Sequence, residues 1–263
     1  RYDPVYDKIK EARREEEEGI PQGDWETEVK AADPVLVTKL ATEALANKSK
    51  DLQIAAWLAE ACLRREGLPG LVEGLNLLKA MIEAFWENLY PEAEDGDLEL
   101  RAAPLDWVGS YFPSLIYKLP LTRDGSNFFK YKESRSVPTE EQAAGSEAKA
   151  TQRSEALADG KLAPEAFDEE MKGTPKQFYK DLAAGFEASL EALQALNEVC
   201  DAKFGKDAPS FGKLRTALEE VQVLNKGFLK KKMELEPDEG GAEEEAPTEE
   251  AATEEAPAEG EEA

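Results

Sequence analysis

Apolar residues between Ser49 and Tyr90 recur in two helical rhythms separated by Glu66-Gly67-Leu68-Pro69-Gly70. At 100° per residue, Leu52, Ile54, Ala55, Leu58, Ala59, Cys62 and Leu63 form one broad face. Gln53, Glu60 and Arg64 occupy a narrow opposite stripe. A face that wide predicts a central helix with neighbours on several sides. Gly67 suits the position after a helix, and Pro69 can open a new helix but not continue one. The second rhythm brings Leu71, Leu75, Leu78, Ile82, Phe85, Trp86 and Leu89 together, with Glu73, Lys79, Glu83 and Glu87 outside, and Tyr90-Pro91 closes it. The two make an antiparallel helical hairpin, and that hairpin is the expected core.

Upstream, Asp3-Pro4 reads as N-cap and first residue of a helix with Val5, Ile9 and Ala12 on its apolar side. Arg13-Arg14 and Glu15–Glu18 read as its solvated end. Gly23-Asp24-Trp25 leads into Glu26–Ala32, a short helix or an extended connector. Asp33-Pro34 repeats the starter before Val35–Ala46, where Leu36, Leu40, Ala44 and Val37, Ala41, Leu45 keep helical spacing.

Downstream, Asp97 can cap a helix carrying Leu98, Leu100, Arg101 and Leu105, which Pro104 either kinks or splits. Periodicity weakens from Tyr111 to Arg135, which predicts an irregular excursion with one short strand pair about Asp124-Gly125. Glu140–Leu157, with hardly any large apolar residue, reads as a polar helix or mobile linker. Ala163-Pro164 opens a short helix through Met171. Lys176–Phe204 keeps Phe178, Leu182, Phe186, Leu190, Leu193, Leu196, Cys200 and Phe204 in one stripe. Phe211–Lys231 does the same with Phe211, Leu214, Leu218, Val221, Leu224 and Phe228, and Lys230-Lys231-Lys232 ends it where the helix dipole favours cations. The expected fold is all-α, a multi-helix bundle built on antiparallel helical hairpins, with an irregular middle segment. Residues 1–232 are expected to form the helical domain and 233–263 a disordered acidic tail, which lacks the apolar residues to fold.

Charge sharpens this division. The 263 residues carry a net charge of −25, yet Glu234–Ala263 alone holds 14 acids and no base. The rest has 43 acids against 32 bases, so the body is acidic too. That balance argues against nucleic acid or an anionic membrane as partner. No stretch reaches 18 uninterrupted apolar residues, so no membrane insertion is expected.

Histidine is absent. His-ligated metal, Ser-His-Asp and Cys-His chemistry are therefore excluded. Cys62 and Cys200 read as buried free thiols of a reducing compartment. Gly67-Leu68-Pro69-Gly70 lacks the lysine and the preceding strand of a phosphate loop, so no cofactor is expected. Carboxylate pairs abound, but at this acid content they arise without purpose, and no enzyme site emerges. Trp57 breaks the core pattern by standing among Gln53, Glu60 and Arg64 in the polar stripe. Either an outer element such as Tyr111–Tyr131 covers it, or it is a partner-facing anchor with those three neighbours.

Several pieces in order resemble one family. They are Ser49-Lys50-Asp51-Leu52, Ala56-Trp57-Leu58-Ala59-Glu60-Ala61, Gly67-Leu68-Pro69-Gly70-Leu71 with Gly74-Leu75, and Phe85-Trp86-Glu87-Asn88-Leu89-Tyr90-Pro91. Arg1-Tyr2-Asp3-Pro4 with Ile9 and Ala12-Arg13, Gly23-Asp24-Trp25, Asp97 with Arg101 before Leu105-Asp106-Trp107, and Leu119-Pro120-Leu121-Thr122 fit as well. Lys203-Phe204-Gly205, Ala208-Pro209-Ser210 and Leu214 resemble its closing helix pair. The set is similar to the ImpA-type N-terminal domain of TssA proteins in bacterial type VI secretion systems, over about residues 1–230.

The resemblance implies a cytoplasmic, non-enzymatic assembly protein whose partners are the baseplate, the sheath or tube, or the membrane complex. Members also serve as a stopper at the far end of the sheath. The family's ring-forming C-terminal region has no counterpart in this sequence, so the isolated chain is expected to be a monomer or dimer. A generic helical adaptor or chaperone-like binder, its acidic tail meeting a basic partner, is the alternative, and an enzyme with a carboxylate site is the third class.

Overall fold

The computed structural model describes residues 3–15, 30–93 and 96–237. The connector at Gly23-Asp24-Trp25 and most of the acidic tail lie outside the described residues. Eleven α-helices appear among them. These are α1 (Pro4–Arg13), α2 (Pro34–Asn47), α3 (Leu52–Glu66), α4 (Leu68–Phe85), α5 (Glu99–Ile116) and α6 (Phe128–Ser136). They continue as α7 (Glu140–Ala144), α8 (Glu147–Ala158), α9 (Pro164–Gly173), α10 (Lys176–Phe204) and α11 (Gly212–Leu235).

The hairpin α3–α4 sits at the centre, and every residue of α3 from Ile54 to Ala61 is buried. Asp51 starts α3 by accepting from the amides of Gln53 and Ile54. Gly67 ends it at φ 66°, a left-handed conformation that glycine adopts without steric cost. The second helix then packs unusually close. A Cβ on Gly74 would stand 2.6 Å from the Cβ of Ala59, so only the missing side chain lets the backbones meet. At the open end of the hairpin, the Leu52 amide donates to Tyr90 O and the Tyr90 amide to Lys50 O. That isolated bridge joins Asp51 to Tyr90, and no named strand occurs among the described residues.

Around the hairpin, α2 and α5 flank α3, α10 lies along α4, and α11 returns against α10 and α5. Tyr179, Phe186, Leu193, Leu196 and Cys200 of α10 are fully buried, and burial pushes the Cys200 thiol up to about 12. The expected α10 stripe shifts slightly, with Phe178, Leu182 and Leu190 only partly buried. In α2 the buried set is Val37, Ala41, Ala44 and Leu45, while Leu36 stays exposed.

Two expectations are corrected and one open choice is decided. The excursion from Tyr111 holds no strand pair: α5 runs on to Ile116, a turn spans Leu119–Gly125, and α6 follows. Its aromatic residues lack one stripe because they serve different neighbours. Tyr131 packs against Phe167 and Phe228 at 5.2 and 5.6 Å, pinning α6 and α9 to α11. Of the two readings at Pro104 the split is excluded, because α5 passes through both Pro104 and Pro113 as one helix. Lys232 does not end its helix either. It is 2% exposed and donates to Lys172 O and to Glu236, closing the C-terminal ends of α9 and α11 together, and α11 continues to Leu235.

The polar stretch over Glu140–Leu157 is helical, as α7 and α8. Thr139 and Gln142 form a reciprocal cap on α7. Arg153 ties α8 back by donating to Pro138 O and Glu165. In this segment polar contacts replace the missing apolar face.

Candidate functional site: the covered polar stripe of the central helix

Gln53, Trp57, Glu60 and Arg64 follow one another along α3 at helical spacing, so the fold brings all four to one face. That face is mostly roofed. Trp57 is 6% exposed and Glu60 2%, whereas Gln53 and Arg64 are half-buried. A partner-facing indole is therefore corrected: the Trp57 ring is not at the surface. Its cover is also not the one anticipated, because the roof is α1 and only Tyr111 joins it from the excursion.

The roof is built from α1 outward. Val5, Ile9 and Ala12 seat α1 against the bundle, and the adjacent line of Tyr6 and Arg13 turns toward α3. Tyr6 meets Trp57 edge-on at 6.0 Å and donates its hydroxyl to Asp51, the residue that caps α3. The Arg13 guanidinium stands between two indoles, 5.1 Å from the Trp57 ring and 4.9 Å from the Trp107 ring. It also donates to Glu60 at 2.5 Å. Arg64 reaches Glu60 from the other side at 3.1 Å, and it contacts Glu15 at 3.1 Å and the Tyr111 hydroxyl at 2.9 Å. Tyr111 in turn stacks on Trp107 at 5.0 Å.

Electrostatically this is a buried carboxylate between two guanidiniums. Burial alone would lower the Arg64 pKa, but Tyr111, Glu60 and Glu15 outweigh it and raise the value. Losing either arginine would strand charge in a low-dielectric site, which is costly. Such an arrangement clamps α1, α3 and α5 about Glu60, whose side chain is 3% exposed. No set of three or more His, Cys, Asp or Glu residues suited to a metal occurs among the described residues.

Trp86, expected as ordinary core, is half-buried and packs edge-on to Phe204 at 5.0 Å, with the Arg101 guanidinium 4.8 Å from its ring. Arg101 itself is buried and donates to Trp86 O, Leu89 O and Pro91 O, holding the chain after α4. Taken singly, Tyr6 and Tyr111 carried no sequence signal of this role, and Arg13 is corrected from a solvated helix end to a clamp on Glu60, Trp57 and Trp107. Tyr6 and Arg13 are seven residues apart on one helix, so an aromatic-cation line beside the apolar side of α1 was the available signal.

Comparisons fall on this same region. Residues 1–110 match the family described as ImpA, N-terminal, type VI secretion system. The type VI secretion system component TssA1 of Pseudomonas aeruginosa is 33% identical over 91 residues, which are 33% of this chain and 26% of that protein. The chain thus aligns with about a quarter of that relative's length. A solved structure is also similar, at 29% identity and TM-score 0.74 over 88% of this chain and 86% of that one. It is the N-terminal domain, including the conserved ImpA_N region, of the TssA component from Burkholderia cenocepacia.

Proposed function

We propose, from a chain that carries the ImpA N-terminal domain of TssA-type components, that this protein is a non-enzymatic assembly component of a bacterial type VI secretion system. Its role is to organise baseplate and tail tube or sheath assembly through protein–protein contacts in the cytoplasm. The observation that carries the reading is the likeness to the TssA N-terminal domain across nearly the whole described fold. Two features support it. The α3 stripe is spent on holding α1, α3 and α5 together. Among the described residues no helix is long and apolar enough to cross a membrane.

Partner contact is assigned to the ends of the roofed stripe that solvent reaches, Gln53 and Arg64, with Trp57 and Glu60 as their support. The test is affinity capture of the tagged chain from cells running such a system, followed by mass spectrometry. Recovery of sheath, tube, baseplate or membrane-complex proteins supports the assignment, and it should weaken in Gln53→Ala/Arg64→Ala. Capture of general chaperone clients without any secretion component would favour the adaptor reading instead.

A further inference from the structure

Helix α11 has a finished inner side and an unfinished outer one. Leu214, Leu218, Val221 and Phe228 are buried beneath it. Outward, Glu219, Val223, Lys226 and Lys230 are all exposed. Val223 is 68% exposed, the highest value among the exposed large apolar residues described, and Phe129 on neighbouring α6 is 50% exposed. A shallow groove lined by Phe128, Tyr131, Val223 and Leu224 runs between the two helices.

The charges on this face are segregated. Glu219 and Glu220 precede Val223, and Lys226 and Lys230 follow it. Tyr117 already donates to Glu220, but neither Glu219 nor Lys226 has an ion-pair partner among the described residues. Glu219 and Lys226 are seven residues apart, so they lie on the same side of the helix, about 10 Å apart along its axis.

We propose that the outer face of α11 binds a second copy of this chain, antiparallel, about a two-fold axis passing near Val223. The pattern selects that occupant. Turning the helix end for end places Glu219 against the partner's Lys226 and Lys226 against the partner's Glu219, with the two valines between them. A parallel copy would set like charge on like. Two-fold interfaces are self-complementary by construction, and an acid-apolar-base sequence along one helix is the simplest self-complementary pattern. The patch is one helix wide, so the contact is small, and the net charge of −25 on each copy opposes it. The dimer is accordingly weak and concentration-dependent. This surface is separate from the α3 stripe, and the inference does not depend on the proposed secretion role.

Sedimentation equilibrium over a concentration series at about 0.15 M salt, where long-range repulsion is screened, tests it. The wild-type mass should rise from one chain toward two. Glu219→Lys and Lys226→Glu should each weaken association at least about tenfold, and Val223→Glu should do the same. An equimolar mixture of Glu219→Lys with Lys226→Glu should dimerise again, because both cross-pairs become opposite in sign. Circular dichroism melts confirm that each variant is folded, and the recovery on mixing cannot come from misfolded chains. A wild-type chain that stays single at every concentration would overturn the proposal. So would dimers that ignore both charge reversals, or a mixture that does not recover.

Discussion

Truncating Trp57 to alanine separates a structural indole from an interface anchor. The ring is 6% exposed, meets Tyr6 edge-on at 6.0 Å and lies 5.1 Å from the Arg13 guanidinium. Large-to-small changes at buried aromatic positions cost about 3–5 kcal/mol, counting the cavity left behind. The aromatic pair and the cation contact fall within that range, at about 1 kcal/mol each. A loss of about 3–5 kcal/mol in a chain of this size lowers the melting temperature by roughly 6–20 °C. Trp57→Phe, which keeps a ring against Tyr6, should lose less than half as much. The assay is thermal melting followed at 222 nm, repeated by calorimetry, with affinity capture on the same proteins. Recruitment of partners by folded Trp57→Ala below its melting point should persist. A loss under about 1 kcal/mol would refute the reasoning, because it would mean that α1 does not roof the ring in solution.

Arg101→Met keeps the volume but leaves Trp86 O, Leu89 O and Pro91 O without their donor, and urea unfolding should show a loss of about 2–5 kcal/mol. Gly74→Ala gains about 1 kcal/mol of helix propensity but forces α3 and α4 apart at Ala59, so its net effect should be destabilising by about 1–2 kcal/mol in the same assay. Burial, and then the Glu220 carboxylate, push the Tyr117 phenol up to about 12. An unfolded tyrosine titrates near 10, so the folded state holds this proton more tightly. The stability it contributes is complete below about pH 10 and is lost as pH rises through 12. Tyr117→Phe should therefore flatten the alkaline fall in the unfolding midpoint and remove one phenolate step near pH 12 from the ultraviolet absorbance titration.

The central hairpin was legible because a fully buried helix pair leaves few polar positions, and these mark its edges. Long α10 was legible for the same reason, its 29 residues holding one apolar stripe. The cover over Trp57 was not. It comes from a helix more than 40 positions upstream, and it works through Tyr6 and Arg13, side chains that periodicity counts as polar or neutral. Buried polar residues failed in the same way. Glu60, Arg101 and Lys232 look like surface positions on a wheel, yet each is buried with charged or carbonyl partners that no local pattern announces. At helix α5 the choice between a kink and a split stayed open for another reason. Pro104 removes one backbone donor, but packing of Leu105, Val108 and Phe112 holds the helix through it.

Secretion of the tail-tube protein, measured in a native host with and without the gene for this chain, addresses the assembly role most directly. Deletion should abolish release of the tube protein into the medium while its cellular level stays normal, and wild-type complementation should restore release. Undiminished tube secretion from the deletion strain, with no second copy of the gene present, would contradict it.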